Sequence, residues 1–135
     1  MILQTLFAGL PILAAQFLTT LGLLGIGVAA YFAITPFDER RLVQEGNVAA
    51  GVLMGGTVIA LAIPLAATLA SSASQVDIFI WGLVALIIQV LTFVVVSRFI
   101  GGLQAQIERG NVAMAIAVAS IQVAVALLNA GSMAG

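Results

Sequence analysis

The side chains of this chain that could do chemistry are few. Its charged residues are Asp38, Glu39, Arg40, Arg41, Glu45, Asp77, Arg98, Glu108 and Arg109, and it has no histidine, lysine or cysteine. The missing types remove the usual transition-metal ligands, the commonest general base, thiolates and Schiff-base chemistry. No carboxylate pair, metal cluster or nucleophile with its base is spaced for catalysis. The expectation is a protein that is not an enzyme, with no catalytic residue, no metal and no cofactor. A net charge of −1 offers no basic face for phosphate, so no nucleic-acid partner is expected.

The remaining polar candidates are uncharged: Gln89, Gln122 and Asn129, with Thr and Ser scattered around them. Their setting is apolar, since 63% of the 135 residues are hydrophobic and only 7% are charged. A soluble domain carries about 25% charge and needs it to cover its surface. This composition requires lipid around it, so the chain reads as an integral membrane protein. The start, MILQTLFAGLP, lacks a basic n-region, and it is expected to stay as part of the mature protein.

A membrane helix needs roughly 20 mostly apolar residues. Four stretches qualify, at about 12–34, 48–70, 78–99 and 112–131. They are continuous and rich in Ala, Leu and Gly rather than alternating, which argues against strands. The charged residues sit near their ends, and all four arginines fall beside the first and third connections. By the positive-inside rule those connections are cytoplasmic, with both termini and the SSASQVD loop outside. Ser74 and Asp77 have the spacing of a helix-start capping box, and Trp81 follows one turn later at interfacial depth. Within the connections, PFDERRLVQE predicts a short interfacial helix with Phe37 and Val43 toward lipid. GGLQAQIE, with Leu103 and Ile107 four apart, predicts a second.

The four residues Gly46-Asn47-Val48-Ala49 recur as Gly110-Asn111-Val112-Ala113, 64 positions later. At the same offset Gly51 meets Ala115 and Gly55 meets Ala119. The expected architecture is therefore all-α: four transmembrane helices built from two tandem, parallel two-helix repeats, about 12–70 and 78–134. Parallel repeats are related by an axis near the membrane normal. In each repeat the Asn is a favoured N-cap and the Gly before it permits the turn. A sharper role is that the two helix starts, at Gly46, Asn47, Gly110 and Asn111, jointly contact an anionic headgroup or a partner's carboxylate.

Helices in lipid associate through small residues. Gly51, Gly55, Ala115 and Ala119 are expected to join the second and fourth spans, or to face another subunit. Gly25, Ala29 and Ala33 form a further small stripe on the first. Pro64 is expected to kink the second span toward its outer end. Gln89 and Gln122 need partners and are expected to bond across helices, while Asn129 before Gly131 reads as a helix C-terminus. No charge lies in the middle of a span, which disfavours a proton pump or a voltage sensor.

The stretches EGNVAAGVLMGGTVIALAIPL, SSASQVDIFIWGLVALIIQ and RGNVAMAIAVASIQVAVALLNAGSM together resemble the YjfL-like inner-membrane proteins of bacteria, the family called domain of unknown function 350. The resemblance runs from Gln16 onward. It implies four helices with a duplicated two-helix unit and a place in the bacterial inner membrane; it implies no reaction. The functional expectation is a scaffold or accessory subunit that assembles with itself or with another membrane protein. The alternative is an oligomeric channel or transporter for a small neutral or anionic solute or a lipid.

Overall fold

The computed structural model describes residues 1–35, 37–72 and 74–134, with the side chain of Ala134 left aside. The helices are α1 (Ile2–Ile34), α2 (Glu39–Gln44), α3 (Val48–Ser71), α4 (Gln75–Ile100), α5 (Leu103–Glu108) and α6 (Val112–Ala134). Among the described residues there is no strand. Four of these helices, α1, α3, α4 and α6, are long and apolar enough to cross a membrane. The short α2 and α5 lie in the two connections beside the arginines, and that side of the bundle is called the arginine-bearing end below.

Local chemistry sets each helix start. Asn47 accepts the Ala50 N–H at 3.0 Å and Asn111 accepts the Met114 N–H at 3.1 Å. Ser74 Oγ accepts the Asp77 N–H at 3.2 Å. Each bond satisfies an N–H that has no carbonyl partner in the first turn. The turns before the two asparagines are alike: Gly46 has φ +86° and Gly110 has φ +81°. The Gly46 N–H bonds the Val43 carbonyl as the Gly110 N–H bonds that of Ile107.

Packing follows from close approach. α3 and α6 share the most extensive contact in the bundle. A Cβ on Gly56 would come within 2.4 Å of the Ala119 Cβ, so only glycine fits there. Thr57 meets Gln122 and Thr68 meets Met133, both pairs 65 positions apart, so the two helices run parallel and in register. α1 lies on α4, where Gly82 makes room for Leu23 and Gly27 for Leu86. The expectation that Gly51 and Gly55 form the α3–α6 contact is corrected here. Both face open space, while Ala115 and Ala119 are buried. On a helix, one position is a rotation of about 100°, enough to move the close approach from Gly55 to Gly56.

Two apolar clusters form the interior. One, at the arginine-bearing end, holds Tyr31, Leu42, Ala49, Ala50, Leu53, Phe93, Leu103, Ile107, Ala115 and Val118. The other holds Leu23, Leu61, Leu65, Ile78 and Leu86. Thr57 on α3 and Gln89 on α4 fall between them along their helices, and Gln122 on α6 is bonded level with both.

α1 departs most from expectation. It begins at Ile2 rather than near 12 and runs through Pro11. A proline there costs one backbone bond but does not end a helix whose other residues favour it. Every residue from 1 to 15 is exposed. At 1.5 Å per residue, 33 residues extend about 50 Å, against a hydrocarbon thickness of about 30 Å. The buried residues of α1, Leu23, Gly27 and Tyr31, all lie in its second half, and the exposed first half comes beside the bundle only near Leu69 of α3.

Candidate functional site

Apart from Thr68, which bonds the Pro64 carbonyl and Met133, the buried polar side chains among the described residues form a line and a cluster that meet at Thr57. The line joins three long helices. Gln122 Nε2 donates to Thr57 Oγ1 at 3.0 Å, and Thr57 Oγ1 donates to its own helix at the Leu53 carbonyl, 2.8 Å. Gln89 Nε2 donates to the Gln122 carbonyl at 3.3 Å. Asn129 Nδ2 donates to Gln89 Oε1 at 3.3 Å and to the Ala85 carbonyl at 3.4 Å. Each of these side chains is almost wholly enclosed. Thus both glutamines have partners on other helices. The reading of Asn129 as a helix C-terminus is corrected, because α6 continues to Ala134 and Asn129 is held inside it against α4. Toward the terminal end, the line stops near an open cleft lined by Thr68, Ser71, Ser72, Asp77, Trp81, Ser132 and Met133.

The cluster lies at the arginine-bearing end. α2 buries Glu39 and Leu42, one turn apart, against the bundle. Glu39 is 1% exposed, as enclosed as the core leucines. Its Oε1 accepts a hydrogen bond from the Tyr31 hydroxyl, and its Oε2 has no partner among the described residues. Tyr31 is itself 1% exposed and sets its ring edge to face on Phe93, with centroids 4.8 Å apart. Thr35 and Thr57 also neighbour the Tyr31 hydroxyl. Burial raises the Glu39 carboxyl to about 7, and the Tyr31 hydrogen bond pulls the other way without cancelling it. The adjacent cations do not help. Arg40 lies over the Phe32 ring, 5.1 Å from its centroid, and Arg41 pairs with Glu45 at 3.5 Å.

Glu39 is the residue that sequence reasoning missed. Within DERR it looks like one charge in a solvated turn. A six-residue helix has too few residues for its pattern to reveal which face is covered. The signal available was Leu42 three positions later, since i and i+3 share a face. The forecast for Phe37 and Val43 is corrected with it: both are half-buried and lie against the inner cluster rather than facing lipid alone.

The two helix starts also come together. Gly46, Asn47, Gly110 and the connections around them line one shallow cleft with Glu45, Glu108 and Arg109. Asn47 Nδ2 donates to the Ile107 carbonyl at 2.9 Å, whereas Asn111 Nδ2 donates to Gln106 Oε1 at 2.8 Å, in its own connection. Two carboxylates beside one arginine do not favour an anionic headgroup there.

Four apolar helices around a hydrogen-bonded interior define a multi-pass, all-helical membrane protein. The chain belongs to the family described as Domain of Unknown Function (DUF350), which matches residues 5–133. It is 31% identical over 120 residues to the "UPF0719 inner membrane protein YjfL" of Escherichia coli strain K12, covering 89% of this chain and 91% of that one. The protein of the same name from Escherichia coli O157:H7 matches to the same extent. No solved structure matches the chain.

Proposed function

We propose that this chain is a non-catalytic, multi-pass protein of the bacterial inner membrane, a scaffold or accessory subunit that assembles with copies of itself or with another membrane protein. The observation that carries this reading is the uncovered first half of α1. Ile2, Leu3, Phe7, Leu10, Ile12 and Leu13 are all exposed. A helix of about 50 Å cannot be covered by about 30 Å of hydrocarbon at tilts of up to about 40°. The excess lies in the headgroup region or against protein, and a stretch this apolar favours protein. Gly51 and Gly55 on α3, and Gly25, Ala29 and Ala33 on α1, add outward small-residue faces of the kind that let helices approach closely. The name of the Escherichia coli relative supports the location.

The same reading takes the chain as two tandem two-helix units, with the arginine-bearing connections cytoplasmic and both termini outside. The matching turns at Gly46 and Gly110 support the duplication. The placement of all four arginines at one end supports the orientation. Reporter fusions near residues 42 and 106 are expected on the cytoplasmic side; either one outside refutes the orientation.

Since the chain has no cysteine, single cysteines at Leu6, Leu10 and Leu13 can be cross-linked in native membranes without background. Cross-linked species are expected, strongest on one helical face. Homodimers point to self-assembly and a second band to a partner. The absence of any cross-link along this stretch refutes the reading.

The second reading, an oligomeric channel or transporter for a small neutral or anionic solute or a lipid, is favoured by the line from Asn129 through Gln89 and Gln122 to Thr57. Those groups are satisfied by one another, which is how buried polar side chains hold helices together. Flux in liposomes that is lost in Gln122→Leu while assembly persists would favour transport.

A further inference from the structure

We infer that Glu39 and Tyr31 form a proton-binding site that latches α2 to the bundle, and that loss of the proton to the arginine-bearing side unseats this short helix. The inference concerns the interior of one chain and does not depend on what covers α1.

The geometry supplies the site. Glu39 presents one oxygen to the Tyr31 hydroxyl and leaves the other enclosed without a hydrogen-bond partner among the described residues. A neutral carboxyl is the cheaper form in that setting, because its carbonyl oxygen accepts the Tyr31 hydrogen bond and only an uncharged O–H is left without a partner. An ionised carboxylate does not suit it, because a buried charge with one hydrogen bond lacks the partners that water would give. The elevation of its carboxyl to about 7 by burial agrees with this and puts the change near neutral pH.

No neighbouring charge takes over. Tyr31 is the sole titratable side chain of α1, and it bonds Glu39. α3 and α6 contain no charged or titratable side chain. α4 brings Arg98 in its last turn, and α5 brings Glu108 with Arg109 behind it, all three exposed. On the α2 segment itself Asp38, Arg40, Arg41 and Glu45 are exposed. Asp38 is occupied by the Arg41 backbone N–H at 3.2 Å.

The mechanical part follows from how little holds α2. It is six residues long and buries two side chains, Glu39 and Leu42, with Val43 half-buried beside them. It leads into α3 through Gly46, which has no side chain to obstruct a change of direction, and the Asn47 N–H bond to the Leu42 carbonyl, 2.9 Å, is the tie that an outward swing breaks. When the proton leaves Glu39, the carboxylate reaches water by rotating α2 outward, and Leu42 leaves the inner cluster with it. The proton goes to bulk water on that side, so no co-reactant is needed.

Tyr31 is the sole tyrosine, so a carbon label on its hydroxyl-bearing ring atom reports on this site alone in the unmodified protein. In lipid nanodiscs its NMR shift is expected to titrate once, with a midpoint near 7, and not to titrate in Glu39→Gln. A shift that is flat across neutral pH, a midpoint in the ordinary carboxylate range of about 4, or an unchanged transition in Glu39→Gln overturns the inference. A second measurement places a single cysteine by Leu42→Cys and compares labelling by a neutral maleimide with Glu39 present and with Glu39→Gln, so the thiol's own titration cancels. The ratio is expected to rise roughly tenfold between about pH 6 and pH 8, as does the ionised fraction of a group titrating near 7. A constant ratio overturns it. If Leu42→Cys disturbs folding, the tyrosine titration decides alone.

Discussion

The two connections at the arginine-bearing end leave by the same backbone turn and fill their short helices differently. Each has a six-residue helix, a glycine at φ near +80° and an asparagine cap. At the first buried position of the helix, the α5 connection has Leu103, 5% exposed, and the α2 connection has Glu39, 1% exposed. These positions are 64 apart, the offset of the repeated Gly-Asn. One connection is closed by a hydrocarbon plug, which is indifferent to pH. The other is closed by a carboxyl that must stay neutral to remain there. The same supersecondary device therefore serves as a fixed stop on one side and a titratable one on the other.

Exchanging the two fillings tests that contrast most severely. Leu103→Glu puts a carboxyl into the inner cluster without a tyrosine donor. A loss of about 3–5 kcal/mol is expected where the group is ionised, the scale of an uncompensated buried charge, read by thermal unfolding in detergent at alkaline pH. The pH profile of the unmodified protein comes next. Because Glu39 holds its proton to about 7 in the native state and loses it earlier when unfolded, the native state binds more protons between those values. Stability is then fully present in acid and falls as pH rises toward 7. The total is about 3 kcal/mol, after which the curve is level. Glu39→Leu, which copies the α5 filling, is expected to flatten this profile.

The caps should differ by less. Asn47→Ala removes an N-cap and the bond that reaches the Ile107 carbonyl, for about 2 kcal/mol. Asn111→Ala removes a cap and a bond within its own partly exposed connection, for about 1 kcal/mol. Melting curves of the two variants give the comparison directly. The smallest contrast is between Gly46→Ala and Gly110→Ala. Both force a Cβ into the left-handed region at about 1 kcal/mol, and equal shifts in Tm are expected.

Much of this architecture was legible in the sequence. The apolar runs gave three of the four long helices to within a few residues, and Ser74, Asn47 and Asn111 marked their starts because capping is a local interaction. What was not legible depends on which face meets which neighbour. Small residues at 51, 55 and 56 look equally able to admit a second helix, and only the packed bundle selects Gly56. Asn129 lies five residues from the end of α6, and its burial against Gln89 is a long-range fact. The first span was expected to start near 12, but α1 starts at Ile2 and runs through Pro11, since the residues before it are as apolar as those after. Glu39 was hidden by its company, three other charges in a row that do face water.

Asn47 adds a coupling between the two connections. Its side chain spans from the start of α3 to the last turn of α5, so the two turns are stitched together by an amide. A tug that lifts the first turn strains this stitch and drags on the second. Whatever docks on either turn would then sense the motion of both, as two handles on one drawer.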